Sequence, residues 1–506
     1  MAAGSPDTTG NADVPKAIRL AFADQLGPHF DDGDRTVFIE SRQAFSRAPI
    51  HRAKAHVLLS ALRHRAHEMG PRATLVRAAD YRQGLASLPA EGRPTSVVDP
   101  TSHAARRLVR APPGLDVLPS RGFLTTQEDF DRWADKRTRL TLEDWYRRVR
   151  TESGVLMEAG KPVGGRWNLD EDNREPPPRG QTTLGLAEVS WPREDDIDAG
   201  VRADLDAWER DGHVQFIGDD GPRRFAVTRS EALSALTSFV NERFADFGRY
   251  EDAVLAGDPV MAHSLLSVPL NLGLLHPYEV VQAVMHAWES GSVPLNSVEG
   301  IVRQIIGWRE FVWHCYWRFG PSYPESNHLD AHSPIPSWFT EMHDGDVHAR
   351  CLATTLQMVR AWGWTHHIPR LMILGNWALQ RGYRPSDVNA WFTRAFVDGF
   401  EWVMPANVIG MALYADGGRM STKPYIAGGA YIHRMSDLCR GCSYRPNART
   451  GEQACPFTTG YWSFLERHAE LLAGNHRMAR SLANLGRIAD IAEVLRVDDA
   501  RGADPP

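Results

Sequence analysis

The sequence predicts an α/β domain followed by a mainly α-helical one, and three observations carry that expectation. Short, unbroken apolar runs alternate with a helical stretch over residues 17–118. Gly, Pro and charge then dominate residues 135–227, and amphipathic helical periodicity with capping signals fills much of residues 228–506. Residues 1–16, rich in Gly, Asp, Thr and Pro, read as a disordered tail ahead of the first domain, which spans residues 17–134.

The runs of the first domain are AIRLAF, TVFIE, ATLVRA, SVVDP and LDVL, with the helical stretch at residues 50–69. Strands buried on both faces are apolar throughout, so a parallel sheet covered by helices is expected. DQLGPHF puts Asp24 and Gln25 at the C-terminal end of the first strand, where open α/β sheets bind ligands. No G-x-G-x-x-G follows, so the usual dinucleotide-binding mode has no support. KPVGGRWNLDEDNREPPPRG and WPREDD belong to a long ordered linker.

Beyond the linker, Thr228 and Glu231 form a capping box ahead of Leu233, Leu236, Phe239 and Val240. A second apolar stripe comprises Val298, Ile301, Val302, Ile305 and Ile306, leaving Glu299, Arg303, Gln304 and Arg309 for other faces. Pro369 opens a helix running through RLMILGNWALQR to Gly382. Ser386 caps the next, whose inner face uses Val388, Trp391, Phe392 and Ala395.

The composition, 42% hydrophobic and 24% charged over 506 residues, is that of a globular protein of two or three domains. With no apolar run long enough to span a bilayer and no apolar signal core, a cytoplasmic protein is expected. The net charge of -6 argues against a generally basic nucleic-acid coat, although residues 132–150 are basic and Arg434, Arg440, Arg445 and Arg449 crowd the cysteine-rich region. For any one of these taken alone, a solvated helix face is the more common reading.

Five cysteines in a reducing compartment point to metal ligands over disulfides. Cys439 and Cys442 form a C-x-x-C, Cys455 precedes a proline, and Cys351 completes a set of four, while Cys315 lies in an aromatic run and reads as core. Spacing alone suits a structural zinc or a 4Fe-4S cluster about equally. Sixteen tryptophans are concentrated in the helical half and are packing residues by default. The adjacent His366 and His367 suit proton donation, against the more common reading of structural histidines.

DQL, PVGGRWN, FGRYEDA, HSLLS, NSVEGIVRQIIGWREF, HHIPRLMILGN, FEWVMPANVIGM, YADGG, TKPY and RMSDLCRGC occur in that order. Through them the chain resembles the iron-sulfur bacterial cryptochromes and prokaryotic (6-4) photolyases of the photolyase and cryptochrome superfamily. The resemblance implies a Rossmann-like antenna domain, a linker and a helical domain holding FAD. It assigns a 4Fe-4S cluster to Cys351, Cys439, Cys442 and Cys455. Tyr250, His263, Ser264, Leu265 and Ser267 are then expected along the FAD phosphates and ribityl chain, and Trp308, Arg309, Asn376, Asp398 and Asn407 near the flavin or lesion. The implied activity is light-driven electron donation from reduced FAD to a flipped-out pyrimidine (6-4) photoproduct, with His366 as proton donor supported by His367. The implied partner is UV-damaged DNA, bound by a monomer without any membrane, with Lys423 and residues 132–150 against the DNA backbone.

Several positions depart from that pattern. His343 stands where a tryptophan is expected before the first cluster cysteine, Phe400 replaces a tyrosine, and Met404 a carboxylate, so Trp391 is left as the retained electron-transfer residue. Ala44 replaces a glutamate and Ala23 a glycine beside the antenna residues Asp24 and Gln25. The expected antenna chromophore is 6,7-dimethyl-8-ribityllumazine, with a deazaflavin as alternative. A cryptochrome-like photoreceptor without repair is the alternative function, and a colourless zinc-stabilised nucleic-acid-binding protein a third.

Overall fold

The computed structural model describes residues 17–111 and 114–506, so the tail expected at residues 1–16 lies outside it. Five strands, β1 (Ile18–Ala21), β2 (Arg35–Ser41), β3 (Ala73–Ala78), β4 (Ser96–Val98) and β5 (Asp116–Leu118), make one sheet in the order β3-β2-β1-β4-β5. All its pairings are parallel. Every residue of β1 and all but the first of β2 are buried, which is what unbroken apolar runs require when both faces are covered. Strand order reverses direction between β1 and β4, so the loops after these two strands part and open a crevice. Asp24 lies at that switch point.

One face of the sheet is covered by α1 (Arg52–Met69), an unusually polar helix whose buried side chains include Lys54, His56, Ser60, Arg63 and His64. Arg63 and His64 are paired in opposite directions. Arg63 holds Glu40 of β2 through two hydrogen bonds of 2.6 and 2.9 Å, and His64 contacts Asp195 at the start of α3 (Asp196–Arg210). The linker therefore contains packed helices, α2 (Leu142–Ser153) and α3, and α3 lies against α1.

In the helical half, Thr228 and Glu231 form their capping box at the start of α4 (Arg229–Glu242). Glu299 and Arg303 lie off the apolar stripe on a face that is itself buried: Glu299 accepts from Tyr146 Oη and Leu169 N at 2.9 Å each, and Arg303 pairs with Asp170 at 2.8 Å. The linker covers that face of α5 (Leu295–Val302) and supplies the partners that make burial of these charges tolerable. Ser386 is not a helix cap, because Pro385 occupies the first turn, where its missing N–H costs nothing. The helix expected from Pro369 begins two residues earlier, at His367.

The basic stretch over residues 132–150 is also largely neutralised. Arg132, Arg147 and Arg148 pair with Asp129, Glu143 and Glu152, and Arg150 is buried against the carbonyls of Leu156 and Trp167. No helix among the described residues is long and apolar enough to cross a membrane.

Arg223 is the buried rivet of the linker. It donates to Asp198 at 3.0 and 3.1 Å and to Glu231 at 2.9 Å twice, joining α3 to α4. Arg223→Met strands two carboxylates, one of them fully buried, and is expected to cost about 3 kcal/mol. A urea denaturation midpoint equal to that of the parent protein would contradict this account.

Candidate active site and metal centre

Helix α6 (Arg350–Trp362) ends at Gly363 in the left-handed conformation, φ 61°. The chain then turns through Trp364, Thr365 and His366 before helix resumes. His366 is thereby buried at the head of the new helix, while His367 on its first turn is exposed. The His366 ring stacks on His263 with centroids 4.3 Å apart. Neither ring nitrogen of His366, nor Nε2 of His263, has a hydrogen-bond partner among the described residues. Burial, then the His263 and His367 rings and Arg370, hold His366 well below the ordinary histidine pKa. His263 is lowered to about 3 by burial, His367 and Arg370 in that order.

Arg370, one turn further on, ties the surroundings together. Its Nε donates to Thr365 O at 2.6 Å, and its two terminal nitrogens reach Asp398 at 2.8 and 3.1 Å. Asp398 also accepts from Ser267 Oγ at 2.7 Å, and its backbone carbonyl accepts from Asn271 at 3.2 Å. The loop leading to Ser267 holds Met261 and Leu265 at positive φ, 52° and 60°, an expense that side chains other than glycine bear mainly at ligand sites. Three π-helical turns, Arg303–Arg309, Pro369–Gly375 and Ala406–Ala412, carry Trp308, Arg370 and Asn407, and such widened turns are commonest at functional sites.

The other expected site residues are distributed as follows. Asn376 is fully buried and donates to Ala427 O at 2.8 Å, and Asn407 donates to Val403 O of its own helix. Tyr250 packs in a small apolar cluster with Ala253, Leu255 and Met261. Ser264 Oγ accepts from Leu266 N. Arg309 is directed to the seam between the domains, stacking on Phe123 and Trp402 and donating to the Leu270 and Gly122 carbonyls. Arg370 and Asn271 were not singled out from the sequence; a cation is signalled only by Asp398, a buried carboxylate in need of one. The unpartnered imidazoles, serine hydroxyls and strained loop fit the hydroxyls and phosphates of the expected flavin dinucleotide.

Trp391 is buried, donates to Thr340 O at 3.0 Å and lies beside Phe339 and Phe392. His343 is exposed near Glu341, and Met404 is buried. From Phe339 the rings continue through Trp338 and Trp377 to Phe457, two residues past Cys455.

Cys351 opens α6, Cys439 and Cys442 flank a turn through left-handed Gly441, and Cys455 caps the helix Pro456–Arg467. Burial raises the thiol of Cys351 far above its ordinary value, with Cys455, Cys439 and Cys442 adding to it in that order; Cys439 is raised to about 12 by burial, Cys455 and Cys442. The four sulfurs thus share one space, and becoming thiolates there requires a compensating cation. No three of them lie within 4.8 Å of one another. Tetrahedral zinc at about 2.3 Å from each sulfur would need about 3.8 Å between sulfurs. Gly429 closes the site: a Cβ there would come 2.6 Å from Cys455 Sγ.

A cavity of about 1110 Å³ lies between the C-terminal edge of the sheet and the helical domain, lined by Ala23, Asp24, Ala44, Tyr81 and Phe400 among others. Asp24 is bonded to Thr101, and burial raises its pKa. Gln25 does not line this cavity; its amide donates to Val98 O at 3.1 Å, fastening the loop to β4.

A family model described as "Deoxyribodipyrimidine photo-lyase-related protein" matches residues 19–213. The chain is 37% identical over 516 residues to a protein named "(6-4) photolyase" from Agrobacterium fabrum (strain C58 / ATCC 33970), with 95% of this chain and 98% of that one covered. In shape it is similar to a bacterial class III photolyase from Agrobacterium tumefaciens, with TM-score 0.56 and 18% identity over 92% of this chain and 100% of that one. It is also similar to a cryptochrome of Synechocystis sp. PCC6803, with TM-score 0.52 and 13% identity over 80% and 83% of the two chains. At such identities the likeness in shape speaks of fold alone.

The buried imidazoles carry a pH signature. His263 is lowered to about 3 in the fold, against about 6.5 when unfolded. Its contribution is intact above pH 6.5 and is lost as pH falls toward 3, by up to about 1.4 kcal/mol per unit. The denaturation midpoint is expected to drop between pH 6.5 and 4.5 and to drop less steeply in His263→Asn. Parallel pH profiles for the two proteins would count against it.

Proposed function

The chain belongs to the photolyase and cryptochrome family, and on that premise we propose that it is a DNA photolyase that reverses pyrimidine (6-4) photoproducts with light. The observation that carries this reading is the stacked, buried and unpartnered pair His263 and His366 beside the Arg370–Asp398 ion pair. Bound reduced FAD supplies the electron that opens the lesion on illumination.

The residues of the chain do the rest. Ser264, Ser267 and the backbone of the strained loop bind the phosphate and ribityl portions. Arg370 and Asp398 fix that loop against the helix carrying His366. A histidine held neutral by burial becomes an acid when negative charge is brought beside it, which an anionic cofactor and the DNA provide. His366 then donates a proton from its ring nitrogen to the lesion, with His367 open to the cleft as its support. Lys423, half-buried and without an ion pair among the described residues, holds the backbone of flipped-out DNA in this reading.

The four cysteines hold a 4Fe-4S cluster. Four thiols gathered close enough to influence one another support a shared metal centre, and the motifs around them, which resemble those of iron-sulfur photolyases, favour the cluster over zinc. The cluster cross-links α6 to a segment far along the chain and stabilises the fold. The alternative, a photoreceptor without repair, draws support from the phenylalanines around Trp391 and from exposed His343, which make a poor route for recharging the flavin.

Reduced protein illuminated with a (6-4)-containing oligonucleotide is expected to restore normal pyrimidines, and His366→Ala to lose at least about a hundredfold in rate with its flavin retained. Full activity in that variant would remove His366 from the chemistry, and no light-dependent repair by the parent would leave photoreception. Cys439→Ser is expected to lose soluble protein together with iron. A folded, flavin-loaded, iron-free variant would overturn the structural role of the cluster.

A further inference from the structure

The four cysteines are closed in by a part of the chain that supplies no thiol. The helix Ile491–Arg501 packs along the helix Pro456–Arg467, which Cys455 caps, and its buried Asp498 is pinned by Arg381 at 2.7 Å. After Arg501 the helical form ends, and residues 502–506 cross to the start of α6 as a strap. Arg501 Nη2 donates to Ala454 O at 2.8 Å, one residue before Cys455, and its guanidinium lies 5.4 Å from the ring centre of Tyr444, two residues after Cys442. At the far end Pro506 O accepts from Ala349 N at 2.8 Å, two residues before Cys351. Between these ends Gly502 O accepts from Arg381 at 2.9 Å, and Ala503 O accepts from Trp338 Nε1 at 2.8 Å.

The strap is held almost wholly by its own backbone carbonyls, which accept from donors fixed elsewhere in the helical domain. Residues 502–504 face solvent and Pro506 alone is buried, so little apolar surface holds the segment down. A stretch with few buried contacts and a handful of hydrogen bonds opens locally far more often than the whole fold does. The exposure of the cysteines follows the ends of the strap. Cys351 and Cys455, beside its two attachments, are 6% and 8% exposed, whereas Cys439 and Cys442 are half-buried. The C-x-x-C loop has a separate fastening, since Arg350 donates to Arg440 O within it.

We infer that residues 501–506 are a gate over the Cys351 and Cys455 side of the metal centre, with Arg501 as its positioning residue. Closed, the gate ties the start of α6 to the cap of the helix Pro456–Arg467 and keeps solutes from these two sulfurs. Open, it exposes them without unfolding either helix. The half-buried C-x-x-C is within reach of solutes at all times, so release of the two guarded ligands is the slow step in stripping the metal, and the gate sets its rate. The inference rests on the proposed binding of one centre by all four cysteines, and it adds where that centre is vulnerable and which residue protects it.

Two measurements on the full-length protein as purified test this. Bound iron is followed by metal analysis during incubation with excess EDTA, and thiols are labelled in parallel with iodoacetamide and assigned by peptide mass. In the parent, Cys439 and Cys442 are expected to label before Cys351 and Cys455. Arg501→Ala should lose iron about five- to tenfold faster, the factor expected for one charge-assisted hydrogen bond, with FAD content and urea midpoint unchanged. The same variant should label Cys351 and Cys455 faster and leave Cys439 and Cys442 at the parent rate. Arg501→Lys, which keeps a cationic donor for Ala454 O, should fall between the two, and deletion of residues 502–506 should exceed Arg501→Ala. Iron loss at the parent rate in Arg501→Ala, equal acceleration at all four thiols, or faster loss only together with lost FAD and a lower urea midpoint would each overturn the gate. A parent that purifies folded but without iron refutes the cluster reading alone, and the order of labelling then still decides the gate.

Discussion

The ion pair between Arg370 and Asp398 is the contact on which the site depends. It joins three stretches that sequence separates widely: the strained loop leading to Ser267, the helix that opens at His367, and the segment following the helix Pro385–Ala395. Its members are mostly buried, so the charges are tolerable only together. Because Arg370 also grips Thr365 O, the backbone immediately before His366 is fixed by the same guanidinium that fixes the loop. The stacked imidazoles inherit their positions from this one pair.

The linker makes a comparable demand on the other half of the molecule. Glu299, Arg303, Tyr146, Asp198 and Arg223 are polar groups buried in mutual contact, and α1 is polar because it is sandwiched between sheet and linker. Burial of this kind gives little net stabilisation but specifies register strongly, since a displaced linker leaves charges without partners. The interdomain cavity is the space left where that specification ends.

Much of the fold was legible in the sequence because its signals are local. Unbroken apolar runs gave the parallel sheet, Thr228 with Glu231 gave a helix start, and Gly382 gave a helix stop. Hydrophobic periodicity set Glu299 and Arg303 off the apolar stripe but could not show that their face is buried, because the partners that allow it come from the linker. The π-helical turns were invisible for a related reason: a turn one residue wider leaves no mark in composition. The motif HHIPRLMILGN marks the histidines, yet the importance of Arg370 within it emerges only with Asp398 opposite.

The placement of the four cysteines also has a bearing on how the molecule comes into being. Cys455 is made well after Asn407, the last residue assigned to the cofactor cradle, so a nascent chain can assemble the sheet and much of the cradle before the final thiol leaves the ribosome. With the proposed cluster at these thiols, metal loading would be a closing act of biogenesis. In an iron-poor cell the expected casualty is a full-length chain with its first domain formed and its last helices loose, a species that quality control must either finish or destroy.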